Sequence, residues 1–142
     1  MCIRDRATQE GNTVYFAGVT GIRADKSLVQ GKVGRDLTTQ QGYDAAKLAA
    51  GRFFSTVDAL GLQIDDIVQV LYVRVHTNAT DDFDQHTKVS NGFCDAVVEV
   101  LGERGKAARM SIGAPSLPNN KAVNVEITIA VKPGVKIKKL GV

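Results

Sequence analysis

The sequence predicts an α+β domain in which two helices cover one face of a mixed β-sheet. Two segments carry apolar residues at every third or fourth position, which is typical of amphipathic helices. Other segments alternate apolar and polar residues with period two, which is typical of half-buried strands. Between the two helical segments lies a nearly continuous apolar, β-branched run, as expected for a central strand. The predicted order is strand, strand, helix, strand, helix, strand, strand.

The length and composition are those of one domain. The chain has 142 residues, of which 44% are hydrophobic and 23% charged, and this is enough to build one buried core. No apolar run approaches the roughly 20 residues that a membrane span needs. Residues 1–10 lack the hydrophobic segment of a signal peptide. We therefore expect a cytoplasmic enzyme or binding protein with no membrane contact.

The net charge of +3 is concentrated at the carboxyl end, where four lysines crowd together (Lys132, Lys136, Lys138 and Lys139). We expect residues 134–142 to form a solvated basic tail that contributes little packing. Nucleic-acid contact is the alternative for this tail. It is disfavoured because the tail has no aromatic side chains on which bases could stack.

The two cysteines do not have the spacing of a metal or redox site. Cys94 falls in a helical pattern and is predicted to be a small buried hydrophobe. A catalytic thiol is the alternative, with His76 or His86 as its base. Cys2 lies in the segment 1–6, which has the appearance of a non-native scar rather than part of the fold.

The first half of the chain predicts two short strands and a long helix. Residues 11–18 read as a turn into a strand, and residues 28–30 as a short second strand. Residues 38–60 predict a helix that Thr38 and Gln41 begin with a capping box and that Gly61 ends. The stripe expected to face the core comprises Ala46, Ala49, Phe53, Val57 and Leu60.

The second half predicts a central strand and another helix. Residues 67–75 are expected to be covered on both faces, with His76 as a surface residue at the end of the strand. Residues 83–101 predict a helix whose N-cap comes from Thr80, Asp81 or Asp82. Acidic residues are favoured at a helix start in any case. Asp81, Asp82, Asp84 and His86 could suggest a metal site, but the helix start already accounts for the acidic residues. We therefore predict no metal there.

The last two strands carry the candidate site. In residues 107–113 the apolar face comprises Ala108, Met110 and Ile112, and in residues 122–131 it comprises Val123, Val125, Ile127, Ile129 and Val131. If a short connector joins them as antiparallel neighbours, Arg109 lies opposite Glu126, and Ser111 lies opposite Asn124. This polar face could bind a small carboxylate beside a water molecule. The alternative is an ordinary cross-strand ion pair, which contributes only about 0.2–1 kcal/mol.

These segments resemble the RidA/YjgF family, which has a chorismate-mutase-like fold. The resemblance covers residues 11–131. Its most specific motifs are Ala108-Arg109-Met110-Ser111-Ile112-Gly113, Leu117-Pro118 and Val125-Glu126-Ile127. Gly11-Asn12, Gly18 and Asp66-Ile67-Val68 support it. The segments 31–34, 36–38 and 88–92 are similar to a branch of the family that is labelled as endoribonuclease.

The resemblance implies a homotrimer with three sites in clefts between subunits, an RidA/YjgF-like domain over residues 7–133, and no metal or organic cofactor. Deaminase members of the family hydrolyse enamines and imines such as 2-aminoacrylate to a 2-keto acid and ammonia. By position, Arg109 would clamp the substrate carboxylate, and Glu126 would orient or deprotonate the attacking water. Gly18, Ser111 and Asn124 would complete the substrate pocket.

Three departures from the family pattern leave other functions open. Ala17 stands where deaminase members often carry serine, and Ser111 stands where many carry cysteine. The family's first strand, with a tyrosine that helps to wall the pocket, has no counterpart in the predicted order. A non-catalytic trimer that binds small carboxylates is therefore the first alternative. An RNA-directed activity is the second, although the body of the chain offers no basic groove for nucleic acid.

Overall fold

A five-stranded sheet with two helices packed on one face forms the core of the computed structural model, which describes residues 7–138. The elements are β1 (Ala7–Glu10), β2 (Thr13–Phe16), α1 (Thr39–Ala59), β3 (Ile67–Asn78), α2 (His86–Leu101), β4 (Ala108–Ala114) and β5 (Val123–Val131). The order across the sheet is β1-β2-β5-β3-β4. Neighbours are antiparallel except β3 and β4, which are parallel. The predicted α+β class, with both helices on one face, is confirmed.

Helix α1 begins as the sequence predicts. The Thr38 hydroxyl accepts a hydrogen bond from the Gln41 N–H (3.1 Å), and the Gln41 side-chain oxygen accepts one from the Thr38 N–H (2.8 Å). Gly61 follows the Leu60 C-cap with φ of +78°, a conformation that glycine adopts at little cost. The predicted apolar stripe is buried.

Helix α2 starts at His86, later than residue 83. The Thr80 hydroxyl donates to the Asp82 carboxylate (2.7 Å), and the Phe83 N–H donates to the Thr80 carbonyl (3.1 Å). These local bonds close a separate turn and compete with the helix start, so the predicted caps at residues 80–82 are wrong. Residues at steps of three or four along α2 are buried, at Val89, Phe93, Val97 and Leu101.

The two helices and the sheet enclose one aromatic core. The Phe53 ring lies edge-on to Phe16, with ring centroids 5.0 Å apart, and 6.2 Å from Phe93. The helices approach each other closely at Gly92, where a β-carbon would overlap the backbone carbonyl of Tyr43. Among the described residues, no helix is long and apolar enough to cross a membrane.

The sheet differs from the predicted order at three places. A first strand, β1, is absent from the predicted order and pairs with β2. Residues 28–30 make only isolated bridges and form no second strand. Strand β3 runs on to Asn78, and one chain covers only one of its faces, since Val68 and Leu71 are 47% and 40% exposed.

The predicted pairing of the last two strands is wrong. Strand β3 lies between β4 and β5, so Arg109 is level with Val73 and not with Glu126, which is level with Arg74. Ser111 is level with Val75 and Asn124 with His76. Period-two alternation defines two sets of side chains along a strand, but it identifies neither the neighbouring strand nor the face that is buried.

The faces of β4 were also assigned the wrong way round. Arg109 and Ser111 point toward the helices, and Met110 lies on the outer face and is 48% exposed. Because β4 is an edge strand, its helix-facing side is only partly covered. This position allows polar residues on the face where the inner strands carry buried aliphatic side chains.

The start of the predicted tail is docked on the domain. Val135 and Ile137 pack against the core. The Gln9 side chain donates to the Val135 carbonyl (2.8 Å) and accepts from the Ile137 N–H (2.9 Å), while the Lys138 N–H donates to the Leu60 carbonyl (2.7 Å). The expectation of a solvated tail is therefore wrong for residues 134–138. Residues 139–142 and the suspected scar at 1–6 lie outside the described part of the chain.

Candidate functional site

Glu126 is the centre of a charged cluster on the outer face of the sheet. Its Oε2 lies 3.0 Å from His76 Nε2 and 3.5 Å from Arg74 Nη1. Both partners project from β3 beside β5, because alternate residues of a strand share one face. Within residues 7–138, the other carboxylate oxygen, Oε1, accepts no hydrogen bond. One oxygen of Glu126 is thus held by His76 and Arg74, and the other is available to a water molecule.

Asn124 and Gly18 continue this cluster along the outer face. A β-carbon at Gly18 would lie 2.6 Å from the side-chain oxygen of Asn124, so the close approach requires glycine. That oxygen is buried and has no donor within the described residues. Buried acceptors are normally paired, so this one is a candidate for a ligand N–H. The structure therefore places Gly18 beside Asn124, with Glu126 two residues further along the same face of β5.

Arg109 lies on the opposite face, between β4 and α2. Its Nη1 donates to the Asn91 side-chain oxygen (2.8 Å). No carboxylate within residues 7–138 lies within ion-pair distance of it. Desolvation by burial raises the pKa of the adjacent Cys94 thiol, and the Arg109 guanidinium partly opposes that rise. Because a raised pKa leaves little thiolate at neutral pH, Cys94 does not have the character of a nucleophile.

Ser111 follows Arg109 on the same face. Its hydroxyl and that of Thr77 are both buried, without a partner in the described part of the chain. Further along β4, a β-carbon at Gly113 would lie 2.6 Å from His86 Nε2. A polar strip of Arg109, Ser111 and His86 thus runs along the seam between β4 and α2.

The candidate site is therefore divided into two halves. Glu126, Asn124 and Gly18 lie on the outer face, whereas Arg109 and Ser111 lie on the helix side of the edge strand. One chain does not place the two halves around a common ligand. Across residues 7–138, no group of three or more histidine, cysteine, aspartate or glutamate side chains could hold a metal ion.

Sequence reasoning missed four contacts of the site. His76 was taken as a residue at the strand end, but it lies within β3 and contacts Glu126. Arg74 lies two residues before His76 in β3 and therefore on the same face of the sheet. Asn91 and Cys94 are three residues apart on α2, so one helix face presents both to Arg109. These spacings are visible in the sequence, but only the packing shows which residue they contact.

Comparisons with known proteins agree with this architecture. The family described as "YjgF/chorismate mutase-like, putative endoribonuclease" matches residues 8–130. Protein TCP17 of Trypanosoma cruzi is 31% identical over 100 residues, which are 70% of this chain and 62% of that protein. The chain thus spans less than two thirds of the length of that relative.

Two solved structures show the same fold. The protein Atu1372 of Agrobacterium tumefaciens, described as having unknown function, is 29% identical, with a TM-score of 0.84 over 89% of this chain and 82% of its own. RidA from the Antarctic bacterium Psychrobacter sp. is 22% identical, with a TM-score of 0.59 over 89% of this chain and 86% of its own. With the family match extending across the sheet and both helices, this chain belongs to the RidA/YjgF family.

Proposed function

We propose that the protein hydrolyses reactive enamine and imine acids, such as 2-aminoacrylate, to a 2-keto acid and ammonia. The site is shared between neighbouring subunits of a homotrimer. The observation that carries the proposal is Arg109, a part-buried guanidinium whose described hydrogen-bond acceptor is the neutral Asn91 amide. A planar fork of N–H donors with no acidic partner within residues 7–138 is suited to a ligand carboxylate.

The division of the site between two faces supports a shared arrangement. Arg109 and Ser111 border the free edge of the sheet, and Glu126 lies on its outer face. Large apolar side chains are exposed on the strands that form the outer face, including Tyr15, Leu71 and Met110. Such a surface favours association with another protein surface, and closed cyclic symmetry is the usual result for identical chains. Arg109 of one subunit then meets Glu126 of the next.

The reaction requires the protein mainly to position the substrate, the water and the base. An enamine acid tautomerises to its imine, whose carbon is electrophilic without a covalent catalyst. Glu126 accepts a proton from water as the water oxygen bonds to that carbon, and the proton passes to the nitrogen. Collapse of the carbinolamine breaks the carbon–nitrogen bond, so that both protons of the water leave with the nitrogen as ammonia. Holding the carboxylate, water and base together supplies the main rate advantage.

A non-catalytic trimer that binds small carboxylates is the second candidate. It is favoured by Ala17, which places no hydroxyl beside Gly18 where deaminase members often have serine. In that case Arg109 would bind the same carboxylate, but no product would form. Binding and turnover must therefore be measured on the same preparation.

The test uses the full chain and 2-aminoacrylate generated in the same vessel. We expect ammonia to be released faster than in the uncatalysed reaction, in proportion to the protein concentration. Binding of a stable carboxylate such as butyrate that requires Arg109, without any acceleration of ammonia release, would favour the non-catalytic trimer. If neither binding nor acceleration is found, the carboxylate site itself is refuted.

A further inference from the structure

A cavity of about 250 Å³ is lined by Gly18, which belongs to the outer-face half of the candidate site, and by residues of α1 on the helix side of the sheet. Ile22 and Leu28 give it an apolar wall. Arg52 and Thr56, one turn apart on α1, and Lys121, just before β5, give it a polar side. No residue that lines it is acidic. The cavity therefore combines two cations with an apolar surface.

Arg52 is distinguished from the other arginines by its lack of a partner. Within residues 7–138, every other arginine contacts an acceptor: Arg23 a serine and a carbonyl, Arg35 Asp36, Arg74 Glu126, Arg104 two carbonyls, and Arg109 Asn91. The Arg52 side chain donates to none of the described residues, and neither does the Lys121 ammonium. Two cations in a cavity whose lining holds no acidic residue make a site of positive potential, which favours an anion.

The Thr56 hydroxyl lies on the same side of the cavity. It donates to the Arg52 backbone carbonyl (2.9 Å). Its oxygen can still accept a hydrogen bond, and it lies one helical turn from Arg52. The loop on the opposite side holds Asn119 and Asn120 at φ of +57° and +53°. Left-handed conformations of residues other than glycine cluster at ligand sites. The loop that carries Lys121 is thus held in an uncommon conformation at the edge of the cavity.

We propose that this cavity binds a second anionic group of the substrate, so that the preferred substrates are small imine acids with an acidic group at each end. The inference rests on the proposed function, because the first carboxylate is assigned to Arg109 of a neighbouring subunit. Gly18 lines the cavity and also contacts Asn124, so the reacting carbon would lie between the two anionic ends. The wall of Ile22 and Leu28 suits a short methylene chain between them.

Both a carboxylate and a phosphonate have the required chemistry. The Arg52 guanidinium can bind either one through two parallel hydrogen bonds, and Lys121 adds a point charge. Three stable probes separate the cases. Butyrate has one acidic group, glutarate has two carboxylates, and 3-phosphonopropionate has a carboxylate and a phosphonate.

The experiment measures the affinity of the full-length protein for the three probes by titration calorimetry. We expect at least one of the dianions to bind about tenfold more tightly than butyrate, the effect of one additional charge-assisted contact. The more tightly bound dianion identifies the terminal group. Arg52→Gln and Lys121→Gln should each reduce that preference and together abolish it, with butyrate affinity unchanged. Lys88→Gln, an exposed lysine on α2, is the matched control and should change nothing.

The outcome also separates this inference from the proposed function. If neither dianion is preferred, or if the preference survives in the double variant, the second subsite is refuted. The proposed deaminase activity is judged separately, by the release of ammonia. If the preference is found and lost as expected but no imine is hydrolysed, the cavity assignment stands and the deaminase assignment fails. Trimer content measured on each variant shows that the comparison is made between folded proteins.

Discussion

Arg109 and Glu126 lie on opposite faces of one β-sheet, because β3 separates the strands that carry them. Arg109 is level with the buried Val73, and Glu126 is level with the outer-face Arg74. The two residues are therefore not the cross-strand ion pair that the sequence pattern suggested. If they act on one ligand, they do so from two copies of the chain, and the following predictions depend on that geometry.

Replacing Arg109 should impair substrate binding, and the effect should be larger when more of the guanidinium's contacts are lost. Arg109→Lys keeps the charge but loses the planar fork, so we expect KM to rise. Arg109→Ala should have a larger effect, with kcat/KM about 10- to 150-fold lower, because a charged hydrogen bond contributes about 1.5–3 kcal/mol. The measurement is the rate of ammonia release. A parent-like rate in trimeric Arg109→Ala would overturn the assignment.

Removing the Glu126 carboxylate should slow turnover more than it weakens binding. Glu126→Gln keeps the shape and the contact with His76 but removes the base, so we expect kcat to fall by about 100-fold or more with little change in KM. Glu103→Gln is the matched control, since that exposed glutamate pairs with Lys106 away from the site. Equal loss in both variants would show that net charge, and not the Glu126 position, is responsible.

The exposed outer face should be the surface through which the chain assembles. Sedimentation equilibrium at micromolar concentration should give a trimer. Leu71→Glu should dissociate it, because a charge would be buried without a partner. Val100→Glu tests a residue of comparable exposure on α2 (50% against 40%), and this variant should remain trimeric. A monomeric parent protein, or dissociation by Val100→Glu alone, would contradict this arrangement.

Removing the end of the chain after Pro133 should destabilise the domain. The deletion takes away the packing of Val135 and Ile137 and their hydrogen bonds to Gln9. Burial of that size corresponds to about 1–3 kcal/mol, which lowers the melting temperature by several degrees. Ile137→Ala should produce only part of the shift. An unchanged melting temperature after truncation would restore the expectation of a solvated tail.

The close approach of the two helices should make Gly92 sensitive to any side chain. Gly92→Ala would drive a methyl group into the Tyr43 carbonyl, so α1 and α2 must separate, and we expect a loss of about 1–3 kcal/mol of unfolding free energy. Gly51→Ala is the matched control, because a β-carbon there meets nothing within 4 Å. It should stabilise the helix by about 0.5–1 kcal/mol. Urea denaturation measures both, and similar effects would contradict the close contact.

Local patterns were sufficient for the helices. The capping box at Thr38 and the stripe that contains Phe53 and Val57 depend on residues within a few positions of one another. Helix α2 began later than predicted because the Thr80–Asp82 turn competes for the same polar groups, and a sequence pattern does not rank such competing local bonds. The docking of the end of the chain was missed because Val135 and Ile137 are buried only by contacts with residues far away in the sequence.

The sequence by itself determined the α+β class, both helices, the segments that become β3, β4 and β5, and the residues resembling a family motif. Each of these follows from periodicity or from neighbours in the chain. Only the tertiary structure decided that β3 lies between β4 and β5, that Arg109 faces α2, and that His76 and Arg74 hold Glu126. Strand order and the choice of buried face depend on contacts between segments far apart in sequence, and the period-two pattern is the same for either face.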